Sequence, residues 1–201
     1  MMVSPAARTA DALDSGRGER TRALILEASR KLFFERGYAG TPINAITEAC
    51  GISRAGFYTY FKDKRDVFNV LGETVYHEVL AVIAKWAAFP EPYGLAEVRG
   101  WVEEYFEHLD RHGAFVISAH HSAPDDADFR RSRDHIVTRC CWKLGEAITG
   151  DGRHPPEAVG SAVMGLLERS WYAVQTQSVR VDRDEVIAVV AEMIFAMTRP
   201  R

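Results

Sequence analysis

From Glu19 onward one pattern dominates the chain: apolar residues recur three and four positions apart with polar residues between them, the period of an amphipathic helix. Ile25, Ala28, Leu32 and Phe33 form the first stripe, and Gly37 follows as a C-cap, which predicts a helix near 19–36. Thr41-Pro42 opens a second, with threonine as N-cap and proline at the first helical position, and Gly51 breaks it after Cys50. Ser53 caps a short third helix that ends near Phe61. A long fourth carries Phe68, Leu71, Val75, Val79, Val82, Ile83 and Trp86 on one face and ends before Pro90. A fifth carries Val98, Trp101, Val102, Tyr105, Phe106 and Leu109, and a short apolar sixth covers about 113–121. A seventh runs from Pro124 to about Thr149, and two more, near 156–177 and 183–198, follow the loop at 150–156. No segment alternates as a strand does. The expected fold is all-α, with about nine helices: a three-helix head at 19–64 and a larger helical body at 65–201. Residues 1–18 are small and polar without apolar period, and are expected to form a disordered arm.

Charge adds an asymmetry. Residues 1–65 carry 11 Lys/Arg against 7 Asp/Glu, whereas residues 66–201 carry 14 against 21. A basic head on an acidic body suggests a polyanion at one end only. No apolar run is read as approaching the roughly 18 to 20 residues that span a bilayer, and no secretory layout opens the chain, so a cytoplasmic protein without a membrane partner is expected. Cys50, Cys140 and Cys141 are odd in number and two are adjacent, which is no disulfide framework.

The two short helices and their glycine-containing turn have the dimensions of a helix-turn-helix. At about 100° per residue, Phe57 and Phe61 share the face that must be buried, and Ala55, Gly56 and Thr59 point the other way, with Tyr58 and Tyr60 on the flanks. Glycine inside a helix costs roughly 1 kcal/mol against alanine, so it calls for a packing or approach reason. Close approach to the floor of a major groove is one. Thr59 can meet a thymine methyl or a base edge, and Arg54 can reach guanine O6 and N7 with its fork. Tyr58 and Tyr60 are placed for phosphates, and Lys62 and Lys64 add charge. The plainer alternative is a solvated surface helix followed by a lysine pair.

The stretch Thr21-Arg22, Ile25-Leu26, Ala28, Leu32-Phe33, Gly37-Tyr38, Thr41, Ile46, Gly51-Ile52-Ser53, Tyr58, Tyr60-Phe61 and Lys64 resembles the DNA-binding signature of the tetracycline-repressor (TetR) family of transcription regulators, over about 21–68. The resemblance implies that the second short helix is a recognition helix and that the two heads of a homodimer read a palindromic operator. It implies a DNA-contact set of Thr41, Ser53, Arg54, Ala55, Gly56, Tyr58, Thr59, Tyr60, Lys62 and Lys64. It also implies a repressor that leaves the operator when a small molecule binds the body and turns the long fourth helix. Three positions depart from the family pattern. Pro42 removes a backbone N–H, leaving Thr41 as the contact there, while Thr47 and Cys50 stand where small alanines are usual and are compact enough for the helix crossing to survive.

In the body, Val163, Leu166, Leu167, Val174, Val186, Val190, Met193 and Met197 stripe the last two helices. Such stripes are ordinary core or, by the resemblance, a homodimer interface. Aromatic residues mixed with polar ones suggest a pocket for a hydrophobic or aromatic effector, lined by Trp86, Trp101, Tyr105, Phe106, His120, Trp142, Trp171, Tyr172 and Gln175. His120 and His121 are adjacent and face different ways, and no cysteine or carboxylate pair is read at ligand spacing, so no metal is expected. A Cys140–Cys141 disulfide would be strained. No nucleophile–base set, phosphate-cradling loop or cation loop is read, so neither an enzyme nor a cofactor is expected. Two rival readings remain: a helical small-molecule-binding protein or enzyme with a vestigial head, and an architectural DNA binder whose salt dependence is the same on every sequence.

Overall fold

A computed structural model of the chain describes residues 5–121, 127–149, 154–176 and 180–198, and every regular element among them is helical. In chain order these are α1 (Pro5–Arg36), α2 (Ile43–Cys50), α3 (Arg54–Tyr60), α4 (Lys64–Ala84), a 3-10 turn (Lys85–Ala88), α5 (Leu95–His121), α6 (Ala127–Ile148), α7 (Pro156–Thr176) and α8 (Arg183–Thr198). By contacts the chain divides into two units, Met1–Gly72 with Ile117–Pro124 and Glu73–Val116 with Asp125–Arg201.

Three expectations change. The arm expected to be irregular over 1–18 is helical from Pro5, where proline suits the first turn and the alanine-rich run that follows has high helix propensity. The fifth and sixth helices are one, α5, because Gly113 does not end it. Its hydrogen instead leaves room for the Trp171 ring, which a Cβ at 113 would strike. Finally, residues 64–88 are long and apolar enough to cross a membrane by length and composition. Their buried residues, among them Val79, Val82, Ile83 and Trp86, form the stripe of a core helix, and Glu73 and Glu78 interrupt the run.

In the first unit, Ile25 and Phe33 of α1, Ile46 of α2, Phe57 of α3 and Phe68 of α4 form the core. Phe33, Tyr38 and Phe68 pack as a triangle of rings with centroids 5.1 to 5.5 Å apart. The turn between α2 and α3 is made by Gly51 at φ 64°, a left-handed conformation that glycine takes without penalty. Of the two departures, the Thr47 hydroxyl donates to the Asn44 carbonyl within α2 at 2.9 Å, and Cys50 Sγ lies 3.5 Å from the Leu24 carbonyl of α1.

In the second unit, α6 and α7 approach backbone to backbone. A Cβ at Gly145 would strike the Pro156 carbonyl, and one at Gly160 the Cys141 carbonyl. Asp110 ties three helices together. It accepts from Trp171 Nε1 and Gln175 Nε2 of α7, each at 2.8 Å, and from the Arg183 guanidinium of α8 at 2.8 Å.

Candidate nucleic-acid interface

Phe57 and Phe61 are both buried, so the rotation of α3 is the one their spacing predicts, and Ala55 and Thr59 face solvent. Ser53 caps the helix by accepting from the Gly56 N–H at 3.0 Å. A Cβ at Gly56 would come 3.3 Å from that capping hydroxyl, so the glycine also relieves the cap. Arg54, in the first turn, is held rather than free. Its Nη1 donates to Asn44 Oδ1 at 2.9 Å and its Nη2 to the Tyr58 hydroxyl at 3.1 Å. A guanidinium has five N–H donors, so these bonds fix its direction and leave donors for a base edge. Asn44, on the exposed side of α2, is the neighbour of Arg54 that sequence reasoning missed. Its bond to Arg54 spans ten residues and has no local signature.

The flanking residues divide. Tyr58 is exposed and Tyr60 half-buried, and both lie on α3 as expected. Lys62 is exposed, and its backbone N–H donates to Asp66 Oδ2 at 3.1 Å, which starts α4. Lys64 is different: its Nζ donates to the Tyr38 carbonyl at 2.6 Å and lies 4.2 Å from the centre of the Tyr38 ring, and burial lowers its pKa. It staples α4 to the end of α1. Thr41 is also withdrawn. It does not cap α2, whose N-cap is Pro42 without a side-chain bond. Its buried hydroxyl lies 2.8 Å from the Gly37 carbonyl and 3.1 Å from the Leu32 carbonyl, closing the end of α1. Both residues, expected as DNA contacts, thus also make bonds within the chain.

The expected pocket residues are partly brought together. Trp86, Trp101 and Tyr105 pack in series, edge-to-face at 5.1 Å and tilted at 5.4 Å between centroids, and the Trp101 indole donates to the Val82 carbonyl at 2.9 Å. Phe106 is buried beneath the Arg183 guanidinium. Trp171 and Gln175 are spent on Asp110. Trp142 and Tyr172 are half-buried, each with a cation over its ring, from Lys143 and Arg169. The side chain of His120 lies outside the described residues. Burial pushes Glu168 of α7 up to about 7 and the Cys140 thiol up to about 12, and it raises Cys141 and Tyr105 as well. Thiols held so far from their thiolates are poor redox sensors.

The expected dimer face is corrected in three places. Val163, Leu167 and Val190 are buried in the core of the single chain. Leu166, Val174 and Val186 are half-buried. Met193 and Met197 are 51 and 46% exposed and share their face of α8 with Val189 at 55%, an apolar row at intervals of four. One group that the sequence analysis did not single out also comes together. Glu78, His108 and His112 each offer a ligand atom, all within 4.8 Å of one another. Burial, with the neighbouring His112, lowers His108 to about 4. Hydrogen bonding to His112 lowers Glu78. The spacing of four between the histidines was readable in the sequence; the pairing with Glu78, on another helix, was not.

Residues 25–71 match the family model described as bacterial regulatory proteins, tetR family. The chain is 36% identical over 55 residues to the HTH-type transcriptional regulator AcrR of Shigella flexneri, covering 27% of this chain and 26% of that one. It is 31% identical over 78 residues to the HTH-type transcriptional regulator TtgR of Pseudomonas putida, covering 38% of this chain and 37% of the relative. These matches therefore span about a quarter to two fifths of the curated relatives' length. Likeness of fold reaches further. The crystal structure of AibR in complex with isovaleryl coenzyme A and operator DNA aligns with a TM-score of 0.68 at 18% identity, over 87% of this chain and 98% of that one. The likeness to the tetR family of bacterial regulatory proteins thus lies in residues 25–71, which hold the end of α1, α2, α3 and the start of α4.

Proposed function

We propose that the chain is a homodimeric, sequence-specific DNA-binding repressor whose body takes a small hydrophobic or aromatic effector. One observation carries the reading: α3 presents small side chains outward over two buried phenylalanines, with Arg54 aimed by Asn44 and Tyr58. A helix so shaped can lie deep in a major groove. Arg54 and Thr59 then read base edges, Ala55 and Gly56 allow the approach, and Ser53, Tyr58, Tyr60 and Lys62 meet the backbone. Thr41 and Lys64 act indirectly, by holding α1, α2 and α4.

A single recognition helix reads few bases, whereas two heads about 34–36 Å apart read two half-sites. The exposed row Val189, Met193 and Met197 supports pairing through α8, because an apolar strip of this kind is stabilised by a second copy. Effector release requires the small molecule to favour the state that does not fit the operator. The likeness to AibR, a regulator solved with an acyl-CoA and its operator, supports the pairing of one small ligand with one DNA site.

The test is to incubate the purified protein with sheared DNA of its source genome at physiological salt and sequence what is retained. A few fragments sharing an inverted repeat are expected. Retention of all fragments alike would favour an architectural binder, and retention of none would favour a vestigial head.

A further inference from the structure

His108 and His112 stand one turn apart on the same face of α5, and Glu78 reaches them from α4. The two rings lie 4.9 Å apart, centre to centre, tilted by 43°. His112 Nε2 is 2.8 Å from Glu78 Oε2. The histidines are 1 and 3% exposed, while the Glu78 side chain keeps 41% of its surface in contact with solvent.

Packing alone does not account for this group. Buried polar atoms are almost always hydrogen-bonded, because leaving one unpaired costs free energy that a native fold rarely spends. The bond to Glu78 satisfies one nitrogen of His112. His108 Nδ1 is buried and has no hydrogen-bond partner among the described residues. A second buried imidazole beside an existing His–Glu pair thus leaves a desolvated ring nitrogen without a compensating bond, where a leucine would pack at no such cost. A bound cation removes the discrepancy. Two neutral imidazoles and one carboxylate are the donor set of open tetrahedral zinc sites, and borderline-soft metals prefer it to an all-oxygen shell.

We propose that Glu78, His108 and His112 form a binding site for a divalent transition metal ion such as zinc. Ligand atoms about 2.0–2.2 Å from a tetrahedral ion lie roughly 3.4 Å from one another. Binding therefore evens out the spacing, opening the 2.8 Å His112–Glu78 pair, and the part-exposed Glu78 is the side chain with freedom to move. The His112–Glu78 hydrogen bond gives way to the two metal bonds. Arg111 Nη2, 3.6 Å from Glu78 Oε2 and largely exposed, opposes the ion's charge and turns outward. Three protein ligands leave one coordination position for water or for a donor atom of another molecule. Magnesium and calcium, which demand oxygen ligands, are bound poorly.

The test uses tag-free full-length protein, stripped with a chelator, in a Cys50→Ser background so that the half-exposed thiol does not compete. Zinc alone is titrated in by calorimetry, without DNA, so that the outcome is independent of operator reading. One zinc per chain is expected, with affinity at least about 100-fold weaker in Glu78→Gln and in His112→Gln, since even residues behind the ligands change affinity 10- to 100-fold. Circular dichroism checks that each variant is folded. Glu78→Gln, at a part-exposed position, keeps the test decisive if His112→Gln does not fold. No zinc uptake by the parent protein, or equal uptake by a folded Glu78→Gln, overturns the site.

Discussion

The two units use polar side chains in opposite ways. In the head, Ile25, Phe33, Ile46 and Phe57 fill the core, and the polar groups that make specific bonds serve the backbone or stand at the surface. Ser53 caps α3, Thr41 closes α1, and Arg54 is braced by Asn44 and Tyr58. The body instead buries ionisable groups. Tyr105, His108 and His112 are almost wholly enclosed, and burial pushes His108 down to about 4 and Glu168 up to about 7. Such burial opposes folding unless something compensates for it. A head that spends its buried hydroxyls on its own backbone and leaves its charged bonding groups at the surface is suited to a large external partner. A body that turns them inward is suited to a guest that must enter.

The contrast can be broken, and the largest effect is expected from the head's core. Phe57→Ala removes the anchor beneath α3 and should cost about 3–5 kcal/mol, read by chemical denaturation, with loss of DNA retention. All four tryptophans lie beyond residue 72, so their fluorescence reports on the body alone. A fluorescence transition that moves as far as the circular dichroism signal would erase the distinction between the units.

Next comes the body's packing. Gly113→Ala drives a methyl into the Trp171 ring and should destabilise by about 1–3 kcal/mol, with a change in tryptophan emission. An unchanged spectrum would mean that α5 and α7 do not meet there.

Lys64 and Lys62 sharpen the account within the head. Lys64→Gln loses a charge-assisted bond to the Tyr38 carbonyl and should lower stability by about 1–2 kcal/mol while leaving the salt dependence of DNA binding unchanged. Lys62→Gln should do the reverse, reducing the salt slope by about 1 with little effect on stability. Swapped outcomes would return Lys64 to the DNA contacts.

The smallest expected effect is a pH slope. Glu168 has its pKa raised from 4.5 to about 7 in the folded chain. The folded state therefore keeps a proton that the unfolded state has lost. Its contribution is full below about 4.5 and is lost as pH rises through about 7. Glu168→Gln should flatten the fall in melting temperature across that window. An unaltered profile would show that the carboxyl is not desolvated.

What was legible in the sequence follows from the range of each interaction. The turn at Gly51, the cap at Ser53 and the four-residue spacing of Phe57 and Phe61 are local signals, and the head follows them closely. The bonds of Thr41 to Leu32 and of Lys64 to Tyr38 span 9 and 26 residues, and no local pattern announces them. In the body, an apolar stripe shows that a face is buried but not what buries it. Val163, Leu167 and Val190 proved to be core, while Met193 and Met197 on the same pattern stay exposed. Gly113 looked like a helix break because its reason, the Trp171 ring, sits 58 residues further along the chain. Glu78 meets His112 across 34 residues, a separation at which pattern carries no information.

The central claim is that α3 reads bases through Arg54. Its most direct test is fluorescence anisotropy of the parent protein and Arg54→Ala on a retained genomic duplex and on a scrambled duplex, at one salt concentration. The account predicts that Arg54→Ala loses about 1–3 kcal/mol on the retained duplex and far less on the scrambled one, so that the two affinities converge. Equal losses on both duplexes, or none on either, would contradict it.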